Sequence, residues 1–94
     1  MIPELGMKMK GAELIIVEKK YQREDPNFAY KMDNYLYDYK MKDIDNNVYI
    51  TCEWMGNLGE VGDKITLKKG HIRNKIIKND GGVEWKIQTG SQRC

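Results

Sequence analysis

Hydrophobic and polar residues alternate in short runs along most of this 94-residue chain. β-branched and aromatic residues dominate these runs, and segments rich in Gly or Asn separate them at short intervals. Alternation with a period of two places successive side chains on opposite faces of a β-strand, whereas an amphipathic helix repeats every three to four residues. The pattern therefore predicts an all-β domain built from five short strands.

The first predicted strand runs from about Met9 to Tyr21, and its hydrophobic face changes partway along. Apolar residues occupy both alternating positions within Leu14–Val17, so no single face stays apolar over the whole length. A bulge or bend in the middle of a long strand produces such a change of face. The polar stretch Gln22–Asn27 that follows predicts a loop.

Four further strands follow by the same alternation. They are predicted at Tyr30–Lys42, at Val48–Trp54, from Lys64 to Ile77 with an interruption at Gly70, and at Val83–Gln88. Two connecting segments, Asp43–Asn47 and Asn79–Gly82, are rich in the residues that favour tight turns, and Asn46 and Asn47 tolerate a positive φ.

The alternation also predicts which face of each central strand points inward. On the second strand one face is a tyrosine stripe that Met41 continues, which we expect to form core or barrel rim, with a base-stacking face as the alternative: Tyr35, Tyr37 and Tyr39. On the third strand the more hydrophobic set is predicted inward and the more polar set outward. The inward set is Val48, Ile50, Cys52 and Trp54, and the outward set is Tyr49, Thr51 and Glu53. Trp54 comes shortly before Gly56, and a bulge there would turn its ring outward.

From Tyr35 onward, the order of residue types resembles an oligonucleotide/oligosaccharide-binding (OB) domain of the kind found in single-strand-binding proteins. An alternating strand ends at Asp43, a second ends at Trp54, and Val61-Gly62-Asp63 opens the next. The resemblance implies a small five-stranded Greek-key barrel in one domain spanning residues 1–94. Its core would cover about residues 9–89, with flexible ends at 1–8 and 90–94. Many OB domains carry a helix between strands three and four. Here that region, residues 55–63, contains three glycines, so an SH3-like barrel is the alternative fold.

Charge is distributed unevenly between the two parts of the chain. The formal net charge is +2, but residues 1–63 carry eight bases and twelve acids, and residues 64–94 carry eight bases and two acids. No acid occurs between Lys64 and Asn79. Such asymmetry indicates a surface for a polyanion. Solvated lysines on exposed strand edges are the alternative interpretation.

The sequence offers little catalytic or metal-binding chemistry. One histidine, His71, and two distant cysteines form no ligand cluster, and the paired acids Asp43 and Asp45 lie in a predicted turn. We therefore expect a binding protein without catalytic activity, metal or cofactor. No apolar run reaches the length of a membrane span, and two cysteines are too few for a disulfide scaffold, so we expect a cytoplasmic protein. The Lys-, Ile- and Asn-rich composition suits a low-GC bacterium or its phage.

In OB domains the ligand crosses strands two and three, flanked by loops. The resemblance therefore implies a nucleic-acid-binding set drawn from those strands and the basic segment: Lys40, Tyr49, Thr51, Trp54, Lys68, Arg73, Lys75 and Lys78. Phe28 and Tyr30 border one flanking loop. The expected function is binding of single-stranded nucleic acid, DNA before RNA, with low sequence preference. The alternative function is that of a protein-binding adaptor or of a small phage-type inhibitor of a host protein. The sequence does not decide between a monomer and a homo-oligomer.

Overall fold

Six β-strands form one sheet in the computed structural model, which describes residues 1–24, 35–54 and 57–90. The strands are β1 (Glu13–Glu24), β2 (Tyr35–Lys42), β3 (Val48–Trp54), β4 (Lys64–Thr66), β5 (His71–Ile77) and β6 (Val83–Gln88). The described residues contain no helix. The predicted all-β class is confirmed.

The strand order in the sheet is β4-β1-β2-β3-β6-β5. Every neighbouring pair is antiparallel except β3 and β6, which run parallel. Because β4 and β5 stand at opposite ends of this order, the sheet over the described segments is not closed into a barrel.

The predicted count of five strands is wrong by one, because the fourth predicted strand changes its partner at Gly70. β4 pairs with β1, whereas β5 pairs with β6. Gly70 lies between them with a φ of 136°, and a Cβ there would meet the Gln88 carbonyl oxygen at 3.1 Å. Gly70 thus adopts a backbone conformation that favours glycine. It separates β4 from β5, which the alternating pattern predicted as one strand.

The bulge expected in the first strand is confirmed. The register of β1 against β2 shifts between Ile16 and Glu18, which leaves Val17 as the extra residue. Leu14 and Ile16 are buried before the shift. A second register shift lies between Tyr21 and Arg23, close to the end of the strand.

The segment before β1 lies along the chain that joins β4 to β5. Gly6 donates its amide to the Ile72 carbonyl at 2.8 Å, and the Ile72 amide donates to Met7 at 2.9 Å. Further along, the amide of Gly11 donates to Leu67 at 2.8 Å. These backbone bonds place residues 6–12 beside residues 67–72. The expected flexible ends stay a prediction, and residues 91–94 lie outside the described chain.

The main core lies on one face of the sheet and takes residues from every part of the described chain. Its fully buried members are Met9, Leu14, Ile16, Tyr39, Met41, Tyr49, Leu67, Ile72 and Ile87. Leu36 and Cys52 are also buried but do not belong to this cluster. Cys52 is a small buried side chain, as expected, but it is disulfide-bonded rather than reduced.

The predicted faces of β3 are wrong over its first half, where the polar set points inward. Tyr49 and Thr51 are buried, whereas Val48 and Ile50 are only half-buried. Each buried polar tip has a partner: the Tyr49 hydroxyl donates to Asp43 Oδ2 at 2.8 Å, and the Thr51 hydroxyl donates to the Ile87 carbonyl at 2.8 Å. Satisfied hydroxyls remove most of the cost of burying these side chains.

The turn between β2 and β3 supplies the partner for Tyr49. The Asp43 carboxylate also accepts the backbone amides of Asp45 and Asn47, at 2.8 and 3.0 Å, and Asn46 has a φ of 64°. The predicted turn and its positive φ are therefore confirmed. Burial raises the pKa of Asp43, but the hydrogen bonds from Asn47, Tyr49 and the backbone outweigh burial and hold this pKa below its ordinary value.

Candidate nucleic-acid interface

The sheet face predicted to carry the ligand, on β2 and β3, offers neither a free cation nor an exposed ring at the predicted positions. Lys40 Nζ lies 3.1 Å from the Glu84 carboxylate and 3.6 Å from that of Glu18. Tyr49 is fully buried and Thr51 nearly so. This burial corrects the prediction that both residues line an exposed face, because a buried ring cannot stack on a base.

Glu84 neutralises two of the predicted cations at once. Its carboxylate lies 3.1 Å from Lys40 Nζ and 3.3 Å from Lys78 Nζ. Burial raises the pKa of Glu84, but the hydrogen bonds and charges of the two lysines outweigh burial and lower it. The hydrogen bond to Glu84 in turn raises the pKa of Lys40. This cluster is an internal ion-pair network with little charge left for a ligand.

The remaining predicted residues are spread over the surface. Arg73 donates to the Gln88 side chain at 3.2 Å, and Lys75 Nζ lies 5.3 Å from the centre of the Trp85 ring. Trp54 is half-buried, with the Arg23 guanidinium 5.9 Å from its ring. Lys68 is exposed beside Lys69. Phe28 and Tyr30 lie outside the described residues.

A different set of cations converges around Gly70, in what we call the basic groove. It has a volume of about 740 Å³ and is lined by Gly6, Lys8, Lys10, Lys69, Gly70, His71, Gln88, Thr89 and Gly90. Its lining includes no acidic residue. Across the part of the chain that the structure describes, its three lysines form no ion pair.

Backbone pairing between distant parts of the chain assembles this groove. Lys8 forms an antiparallel bridge with His71, and the Met9 amide donates to the Gly70 carbonyl at 2.9 Å. Met9 is fully buried while Lys8 and Lys10 on either side are exposed. Neither lysine belongs to the predicted binding set; Lys8 falls in the predicted flexible end 1–8, and Lys10 lies outside the basic segment that begins at Lys64. The alternation Met7-Lys8-Met9-Lys10 is the signal that could have found them.

A second groove, which we call the adjoining groove, continues from the first. Its volume is about 470 Å³, and its lining is Glu53, Asn57, Leu58, Ile65, Thr66, Leu67, Lys68, Lys69 and Thr89. Lys69 and Thr89 line both grooves. The Thr89 hydroxyl donates to Glu53 Oε1 at 2.7 Å, which places this acid beside a residue that both grooves share.

The predicted tyrosine stripe of β2 runs from the core to the surface. Tyr39 is buried and its hydroxyl donates to the Gly59 carbonyl at 3.0 Å, Tyr37 is half-buried, and Tyr35 is 43% exposed. Tyr21 of β1 is 50% exposed, and its ring centre lies 6.1 Å from that of Tyr35 and 6.0 Å from that of Tyr37. We call Tyr21, Tyr35 and Tyr37 the tyrosine patch.

One lysine links the tyrosine patch to the segment after β3. Lys19 Nζ lies 4.9 Å from the centre of the Tyr37 ring and 2.5 Å from Glu60 Oε1. The hydrogen bond to Glu60 raises the pKa of Lys19. A cation over the face of an aromatic ring is attracted by the ring quadrupole. Lys19 therefore contacts both side chains and holds the Glu60 carboxylate near the Tyr37 ring.

No three His, Cys, Asp or Glu side chains within residues 1–24, 35–54 and 57–90 are grouped to hold a metal ion. Over the same residues, no helix has the length and apolar character needed to cross a membrane. Comparison with protein-family models, with curated proteins and with solved structures finds no match.

Proposed function

We propose that this protein binds single-stranded nucleic acid through the basic groove. The observation that carries the proposal is the convergence of Lys8, Lys10 and Lys69 on one groove whose lining contains no acid. Lysines without internal partners are the groups that neutralise backbone phosphates and release counterions. A positively charged groove that runs along the sugar-phosphate backbone binds single-stranded nucleic acid with little preference for base sequence.

We also propose that the sheet belongs to an OB-type barrel. The parallel pairing of β3 with β6 supports this, and so does the position of β4 and β5, which are consecutive in the chain but stand at opposite ends of the sheet order. Residues 6–12, hydrogen-bonded to residues 67–72, span the region between them. In this proposal the protein acts as a binding module with no catalytic step, metal or cofactor.

The basic groove is a better place for phosphates than the face formed by β2 and β3. On that face, bringing a phosphate to Lys40 means displacing Glu84 or Glu18, so the strand would compete with existing ion pairs. In the basic groove a phosphate meets lysines that lack such competitors among the described residues. The proposal thus keeps the predicted ligand but moves its main contacts toward the N-terminal segment.

Fluorescence anisotropy with a labelled dT16 oligonucleotide at several salt concentrations tests the proposal. We expect binding at low salt that weakens steeply as salt rises, and weaker binding of a duplex of the same length. Each phosphate contact to a single strand contributes a slope of about 0.7 in log affinity against log salt. The double variant Lys8→Gln/Lys69→Gln should therefore bind more weakly and lower the slope by about 1.4.

The matched control is Lys20→Gln/Lys42→Gln, which removes the same charge from two exposed lysines outside the basic groove. This control should leave both affinity and salt slope close to those of the unmodified protein. The proposal fails if dT16 does not bind at low salt, or if the control loses as much affinity as the groove variant. Urea unfolding of each variant verifies that the fold is intact.

A further inference from the structure

We infer that the outer edge of β5 is a docking site for an extended acidic peptide of a partner protein, which adds one strand to the sheet. We call residues 73–77, along the side of the strand that faces away from β6, the β5 edge. The inference goes beyond the proposed function, because it concerns a protein partner and uses none of the basic-groove lysines. Its evidence is the backbone pairing of β5, the charge along the β5 edge and the apolar side chain exposed there.

The backbone of β5 is paired on one side only over its second half. β5 stands at one end of the strand order, and its partner along the ladder is β6. The N-terminal segment covers the other side at Ile72, which exchanges hydrogen bonds with Gly6 and Met7. Within the described chain, no backbone hydrogen bond reaches residues 73–77 from that side. The β5 edge therefore continues a line along which the chain has already paired one other segment.

The register of the β5–β6 hairpin shows which backbone groups the β5 edge presents. The Lys78 amide donates to the Gly82 carbonyl at 2.8 Å, so these two residues form a hydrogen-bonded pair. Hydrogen-bonded and non-hydrogen-bonded pairs alternate along an antiparallel ladder. Ile76 therefore bonds to β6, whereas Lys75 and Ile77 turn their amides and carbonyls away from it. These outward groups have the spacing that one more strand requires.

The side chains of the β5 edge determine the chemistry of the occupant. Lys75 and Ile77 lie on one face of the hairpin, opposite Trp85 and Val83 respectively. Ile77 is 71% exposed. Lys75 Nζ lies 5.3 Å from the centre of the Trp85 ring and forms no ion pair with any described residue. Because an added strand sets its alternate side chains beside these two, an apolar residue and a carboxylate are the complementary pair.

The charge of the β5 edge favours an acidic partner over a second copy of this chain. β5 contains no acid, and Glu84 across the hairpin is paired with Lys40 and Lys78. Two copies of β5 paired antiparallel about Lys75 would place two lysines opposite each other, and like charges directly opposite destabilise a strand pair. Lysines on exposed edges deter self-pairing in this way. The same lysine attracts a carboxylate, so the β5 edge selects an acidic strand.

The probe is the capped peptide Thr-Val-Thr-Glu-Thr, which in antiparallel register sets its Val opposite Ile77 and its Glu opposite Lys75. One comparison peptide replaces this Glu by Lys, and another carries methyl groups on the backbone nitrogens of Val and Glu. Amide NMR shifts and hydrogen exchange of the ¹⁵N-labelled protein measure binding residue by residue. We expect the acidic peptide to shift and protect the amides of Lys75 and Ile77. The methylated peptide lacks the two donors and should bind at least about fivefold more weakly.

Charge reversal at Lys75 tests the side-chain contact. Lys75→Glu should bind the acidic peptide at least about fivefold more weakly, and the lysine peptide more tightly, than the unmodified protein does. The matched control Lys20→Glu makes the same change of charge at an exposed lysine of β1 and should leave the affinity for every peptide unchanged. Hydrogen exchange of the core amides verifies the fold of each variant.

Three results would overturn the inference: no shift of any β5 amide with the acidic peptide, equal binding of the methylated peptide, or an unchanged preference for the acidic peptide in Lys75→Glu. Shifts of the same amides that grow with protein concentration, without peptide, would also overturn it by identifying a second copy as the occupant. Protection of these amides by dT16 would do so by assigning the β5 edge to nucleic acid. Failure of dT16 to bind refutes the basic groove alone and leaves the peptide result unaffected.

Discussion

Replacing Tyr49 by Phe removes one oxygen atom from the core and should destabilise the protein markedly. The lost hydroxyl donates to the Asp43 carboxylate at 2.8 Å, and both groups are buried. Hydrogen bonds to charged groups contribute about 1.5–3 kcal/mol, against about 0.5–1.5 kcal/mol for neutral pairs. We expect a loss of about 2 kcal/mol in the free energy of unfolding, or roughly 8–16 °C in Tm for a domain of this size.

Tyr39→Phe is the matched control, because it removes the same atom from an equally buried ring. The Tyr39 hydroxyl donates to the Gly59 carbonyl at 3.0 Å, which is a neutral acceptor. Its loss should cost about 1 kcal/mol. Urea unfolding at pH 7, followed by far-ultraviolet circular dichroism, measures both variants against the unmodified protein.

The pH dependence distinguishes the two substitutions further. The pKa of folded Asp43 lies below its ordinary value, so the ionised carboxylate stabilises the fold above that ordinary value and loses this contribution as pH falls through the folded pKa. The cost of Tyr49→Phe should therefore be complete at pH 7 and shrink below about pH 4. Equal costs for the two variants, or a cost of Tyr49→Phe that stays constant down to pH 2.5, would refute the reasoning.

Three further substitutions test the core, the strand break and the ion-pair network. Ile16→Ala should cost about 2–5 kcal/mol in urea unfolding because Ile16 is fully buried, whereas Ile44→Ala, at a side chain 96% exposed, should stay within about 0.5 kcal/mol. Gly70→Ala should cost more than about 1 kcal/mol, since its φ of 136° disfavours a side chain and the new Cβ meets the Gln88 carbonyl; a neutral result would contradict the described break. Glu84→Gln should cost about 1–3 kcal/mol at pH 7. Because the pKa of folded Glu84 is lowered, this cost should fall as the solution is acidified below about pH 4, and a cost independent of pH would refute the ion-pair network.

Local patterns predicted the features that depend on neighbouring residues. The mixed apolar run Leu14–Val17 indicated a bulge, which the register shift after Ile16 confirms. The Asp43–Asn47 segment indicated a turn, and Asp43 caps it through its own carboxylate. These features follow from backbone preferences that act over a few positions, so a single sequence contains enough information to find them.

Features that depend on distant pairing were missed. The faces of β3 were predicted wrongly because hydrophobicity ranks Val48 and Ile50 above Tyr49 and Thr51, and the Ile87 carbonyl that accepts from the Thr51 hydroxyl lies 36 positions away. The basic groove was missed for the same reason, since Lys8 meets His71 only through pairing across more than sixty residues. Alternation identifies a strand, but it does not identify the strand's partner.

The parallel pairing of β3 with β6 has a consequence for the rate of folding. It joins Val48 to Glu84 and Tyr49 to Trp85, pairs that are 36 positions apart in the chain. Strands β1 to β3 can pair in succession through shorter connections, whereas the β3–β6 pair must close a long loop before its contacts contribute. Non-local pairings of this kind place folding in the millisecond-to-second range. We therefore expect the β1–β3 meander to form first and the basic groove, which needs β5 and β6 in place, to be among the last features to assemble.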